Sequence, residues 1–68
     1  MSLVKRSFSL AGHRTSVALE PEFWAALTVL AGRQDKPVSA LVAELDASRL
    51  PDQPLASSLR VWIIAQFL

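Results

Sequence analysis

Arg14, Ser16 and Ala18 alternate with Thr15, Val17 and Leu19, and this two-residue period sets the two groups on opposite faces of a β-strand. Thr15, Val17 and Leu19 suit a core. The other face carries a guanidinium that can bond guanine O6 and N7 together, a hydroxyl that can donate to or accept from several bases, and a methyl that can touch the thymine methyl. These residue types can read base edges in the major groove of DNA, which is wide enough to admit a two-stranded β-ribbon. An isolated strand is unstable and must pair. No later stretch of the chain alternates as well, so the pattern predicts pairing with the same strand of a second copy.

Holding the DNA backbone calls for cations and free N–H groups. Lys5 and Arg6 are placed to track phosphates as an N-terminal arm. His13, the only histidine, is either a phosphate contact at the strand's start or a structural hydrogen bond to the facing strand. A second helix opening around Pro37 would present the N–H groups of Val38 and Ser39 at its positive end, with Lys36 just before them. Such an end binds anions without any charged side chain, although Pro37 itself withholds one donor. The remaining residues suggest no catalysis. Glu44 and Asp46 stand two apart and face different ways on a helix. With one histidine and no cysteine there is no metal constellation, and no glycine-rich phosphate loop or nucleophile–base pair is present. The expectation is a protein that is not an enzyme and uses no cofactor or metal.

Several elements must position these residues. At 68 residues with no cysteine, the chain is one small domain that disulfides cannot staple. Its 51% hydrophobic content therefore suggests stabilisation by self-association. The net charge is only +1, but Lys5, Arg6 and Arg14 all precede the first acidic residue, Glu20. A basic start of this kind is the electrostatic footprint of a nucleic-acid binder. No signal peptide is evident, and the apolar stretch Leu59 to Leu68 is too short to cross a bilayer, so the expected location is cytoplasmic, with no membrane partner.

Lys5 to Leu10 reads either as a short strand, with Arg6, Phe8 and Leu10 on one side, or as an arm that orders on a partner. Ala11-Gly12 marks a bend, and the ribbon strand follows. Pro21 sits well in a first helical turn, flanked by Glu20 and Glu22 at the positive end of the helix dipole. The apolar face of this helix is Phe23, Leu27, Leu30 and Ala31, and Gly32 with Arg33-Gln34-Asp35 closes it. A second helix carries Val38, Leu41, Val42 and Leu45 and ends near Arg49. After Pro51-Asp52-Gln53-Pro54, a third runs from Leu55 to the end of the chain and is apolar almost all round, so it needs cover on several sides. No internal repeat stands out. The division expected is an arm at 1–12, a core at 13–50 and a C-terminal helix at 51–68. That last helix is expected to be dispensable for the ribbon but needed for tetramers or a protein partner.

Strand, helix, short turn and helix, in that order, resemble the ribbon-helix-helix superfamily of bacterial DNA-binding proteins, the group of the Arc-type repressors. Lys5-Arg6-Ser7, Gly12-His13-Arg14-Thr15-Ser16-Val17, Leu19-Glu20, Phe23-Trp24, Leu27, Ala40-Leu41-Val42-Ala43-Glu44, Asp46-Ala47 and Ser58-Leu59-Arg60-Val61 are similar to the short bacterial ribbon-helix-helix proteins of unknown specific role. The resemblance implies a mainly α fold with one short β-strand. Two copies would intertwine as a homodimer through an antiparallel intersubunit ribbon, each with an extra C-terminal helix. It implies sequence-specific DNA binding, base contacts from Arg14, Ser16 and Ala18, and transcriptional repression or autoregulation at a near-palindromic site. The alternative is an antitoxin-like module that uses the same dimer and grips a partner protein through its apolar C-terminal helix.

Overall fold

The computed structural model describes residues 2–68. The chain runs through β1 (Val4–Leu10), β2 (His13–Leu19), α1 (Pro21–Arg33), α2 (Val38–Ser48) and α3 (Leu55–Ala65). Two strands are present where one was expected. The partner of β2 is β1 of the same chain, paired antiparallel with Leu10 opposite His13, Ser7 opposite Ser16 and Val4 opposite Leu19. A two-stranded ribbon thus forms within one copy, and the lone strand expected from the sequence is one of a pair.

Two features explain the hairpin, a local turn and a long-range anchor. Ala11 and Gly12 both adopt positive φ, 51° and 81°, as the two central residues of a type I′ turn do, and that turn matches the twist of the flanking strands. Trp24 then fixes β1 to α1. Its indole Nε1 donates to the Val4 carbonyl at 2.8 Å, its ring stacks on Phe8 with centroids 5.9 Å apart, and the Arg6 guanidinium lies 4.8 Å from its centroid. The expected bend at Ala11-Gly12 is present, and the segment before it is a strand.

Ala11 carries the strain of this turn, because a Cβ in the left-handed region costs about 1–2 kcal/mol. Ala11→Asn, which converts the turn to the favoured Asn-Gly pair, is expected to stabilise the fold by about 1 kcal/mol. A thermal melt should read this as a rise of about 4–8 °C for a domain of this size.

One core joins all five elements. Leu10, Val17 and Leu19 project from one face of the hairpin onto Trp24, Leu27, Leu30 and Ala31 of α1, Leu41 and Val42 of α2, and Leu59 and Ile63 of α3. In α1 the most buried aromatic is Trp24, with Phe23 half-buried beside it. Gly32 lies inside α1, and the left-handed residue that turns the chain is Asp35 (φ 53°), since a short polar side chain tolerates that conformation. Pro21 is the first residue of α1 after the N-cap Glu20, whereas Pro37 is itself the N-cap of α2.

The third helix ends at Ala65, short of the chain end. Leu59 and Ile63 sit in the shared core, while Val61, Ile64, Phe67 and Leu68 face outward. Arg60 ties α3 back to the start of α1, its Nε donating to Glu20 Oε1 at 2.9 Å. The Glu20 carboxyl is held below the usual glutamate range by a bond from its own backbone N–H and by the Arg60 guanidinium.

Candidate nucleic-acid interface

The hairpin has one face in the core and one in solvent. The register brings Lys5 opposite Ala18, Ser7 opposite Ser16 and Ser9 opposite Arg14. Since side chains alternate along each strand, these six share the outer face. Five are exposed and Ala18 is half-buried. At the centre, the Ser7 and Ser16 hydroxyls lie 3.3 Å apart, either able to donate. The result is a two-stranded ribbon with small polar groups in the middle and a cation toward each end.

Charge distinguishes this face from the rest of the surface. Every acidic residue lies at position 20 or beyond, so both strands are free of carboxylates. The cations of the helical part are largely engaged: Lys36 with Glu44, Arg49 with Asp46 and Arg60 with Glu20. Among the described residues, Lys5 and Arg14 form no ion pair. A cationic, acid-free ribbon attracts polyanions even though the whole chain is nearly neutral.

The residues expected to touch phosphate fall in three places. Lys5 shares the outer ribbon face with Arg14, Ser16 and Ala18. Arg6 points the other way, over Trp24, and His13 lies exposed on that same side beside the turn, opposite Leu10. Lys36, Val38 and Ser39 surround the start of α2, well removed in sequence from the ribbon. There Lys36 is paired with Glu44, Val38 packs against the core and Ser39 is exposed. No side chain caps that helix end, so its first N–H groups are left without helical partners.

Ser7 and Ser9 belong to the outer face in addition to the residues expected there. The signal was there: two alternating runs separated by a two-residue break containing glycine form a hairpin pattern. The assignment of Arg6, Phe8 and Leu10 to one side already implied that Lys5, Ser7 and Ser9 share the other.

A family model described as a ribbon-helix-helix domain matches residues 3–67. The chain belongs to the ribbon-helix-helix family. No curated protein and no solved structure matches it. Ribbon-helix-helix domains are in general DNA-binding transcription regulators or antitoxins, a non-enzymatic fold family whose members typically bind DNA as dimers. The match takes in β1 as well as β2, so the intrachain ribbon lies within the ribbon-helix-helix domain. Among the described residues, no group of acidic or histidine side chains could hold a metal ion, and no helix is long and apolar enough to cross a membrane.

Proposed function

We propose that this protein is a bacterial, cytoplasmic, sequence-specific DNA-binding regulator, acting as a homodimer, that inserts its hairpin into the major groove. The observation that carries this reading is the outer ribbon face: exposed, free of carboxylates and edged by two unpaired cations. Arg14 and Ser16 supply base contacts, Ala18 a methyl contact, and Lys5, Ser7 and Ser9 extend the face along β1. The N–H groups of Val38 and Ser39 at the start of α2 are the proposed phosphate anchor, with Lys36 beside them. Arg6, held on Trp24, stabilises the hairpin more than it touches DNA, and His13 is left as a peripheral phosphate contact. The role that follows is repression or autoregulation of transcription.

Titration of labelled random-sequence duplexes tests the general electrostatic part of this reading. Binding is expected to weaken steeply with salt, each neutralised phosphate adding about 0.9 to the logarithmic slope. Absence of binding at low salt would overturn it.

A second reading has its own observation. Val61, Ile64, Phe67 and Leu68 are about half exposed or more, and with Arg60 and Ala65 the first, second and fourth line an open apolar depression. Contiguous apolar surface on so small a body favours an interaction site, as an antitoxin-like module requires. Paired substitutions Val61→Lys and Ile64→Lys would then abolish tetramer formation or partner capture and spare DNA binding by the homodimer.

A further inference from the structure

The register of the hairpin reveals a repeat that the linear sequence hides. Ser7 and Ser16 are cross-strand partners separated by nine positions. A local two-fold axis normal to an antiparallel pair passes between such partners, so it relates each residue of β1 to the residue nine positions later in β2. Under that operation Lys5 falls on Arg14, Ser7 on Ser16, Ser9 on Ala18 and Leu10 on Leu19. Cation matches cation, hydroxyl matches hydroxyl, small matches small and core leucine matches core leucine. The Ser7–Ser16 hydroxyl contact sits on the axis itself.

We infer that a single hairpin is a pseudo-two-fold reading head, whose Lys5 and Arg14 each take a guanine on opposite strands of the duplex. The inference rests on the major-groove reading above. Duplex DNA has local two-fold axes relating its strands, so a ribbon with matching symmetry presents equivalent groups to both. Arginine and lysine are the side chains that bond guanine O6 and N7. Both cations are exposed, and neither is neutralised by a carboxylate among the described residues.

Spacing follows from the register. Lys5 lies opposite Ala18, four residues along β2 from Arg14, which places the two backbones about 13 Å apart along the ribbon. At about 3.4 Å per base pair, the two guanines stand about four base pairs apart, with a latitude of about one for side-chain reach. The symmetry is approximate, because one end is a planar fork and the other a point charge. The Arg14 end is therefore the more strictly specified of the two.

Selection of bound sequences from a randomised duplex library, for the wild-type chain, Lys5→Ala and Arg14→Ala, tests the inference. The part of the wild-type motif read by each hairpin should hold a guanine at each end on opposite strands, about four base pairs apart. Arg14→Ala should erase the preference at one end and Lys5→Ala at the other, each weakening the wild-type site roughly tenfold or more. Thermal melts of both variants should match the wild type, since both side chains are exposed. Suppose instead that two symmetric copies each read one end with the same residue. Arg14→Ala would then erase both ends and Lys5→Ala neither, overturning the inference while leaving DNA recognition intact. Uniform weakening of all sequences by Lys5→Ala would also overturn it, by making Lys5 a phosphate contact. A wild-type chain that selects no sequence would overturn the inference and the DNA-reading proposal together.

Discussion

Truncation after Pro54 is expected to abolish folding, and Leu59→Ala alone to remove about 2–5 kcal/mol of stability. Leu59 is fully buried and Ile63 nearly so, in the same cluster as Leu19, Leu27 and Val42. A single core in a chain of this size rarely supplies more than about 3–5 kcal/mol, so one cavity at Leu59 consumes most of the margin. Ile64→Ala makes a useful control on the same helix: Ile64 is half exposed, and its truncation should cost far less. Denaturant melts followed by circular dichroism would measure all three. A truncated chain that melts cooperatively would show that α3 is an attachment, as the sequence had suggested, and not a wall of the core.

Ser16→Glu is expected to weaken DNA binding by about ten- to a hundredfold while leaving the melting temperature nearly unchanged. The hydroxyl lies at the centre of the ribbon face, 3.3 Å from that of Ser7, and is exposed. A carboxylate there accepts hydrogen bonds but cannot donate, and it brings negative charge toward a polyanion. Loss of one good base contact is worth about 1–3 kcal/mol, and charge repulsion adds to that. Folding has little reason to respond, because the residue faces away from the core. Unchanged affinity in a titration of the selected duplex would mean that another surface meets the DNA.

How far these features could be read without coordinates depended on how local the cause was. The inward set Thr15, Val17 and Leu19, the helix starts near Pro21 and Pro37, and the stripe containing Leu41 and Val42 follow from periodicity and proline stereochemistry, and the structure has them. Alternation alone leaves Lys5 to Leu10 open between a strand and an arm, because its serines and cations suit either. What commits that segment to a strand is a long-range anchor, Trp24 reaching Val4, Phe8 and Arg6. The positive φ at Ala11 is also hard to foresee, since alanine seldom occupies that position of a type I′ turn. The residues of α3 are apolar almost all round, so periodicity does not mark the side that meets the core; packing assigns Leu59 and Ile63 inward, and Val61 and Ile64 outward.

For the candidate interface, Arg14, Ser16 and Ala18 were legible from alternation alone. The membership of Lys5, Ser7 and Ser9 in that face depends on the register of the hairpin, which local periodicity does not supply. The same register separates Lys5 from its neighbour Arg6, which the sequence had grouped as one basic arm. The repeat relating β1 to β2 was invisible for the same reason: its similarity lies in alternate positions and only acquires meaning once Ser7 and Ser16 are opposite one another.

The most direct test of the account is the pattern of nuclear Overhauser contacts between the chain and a duplex it selects. The ribbon model requires contacts from Lys5, Ser7, Arg14 and Ser16 to major-groove protons, the cytosine H5 and thymine methyl groups among them, with β1–β2 cross-strand contacts arising within one copy in a mixture of labelled and unlabelled chains. Contacts from α3 or the helical faces, with the outer hairpin resonances unmoved by DNA, would contradict it.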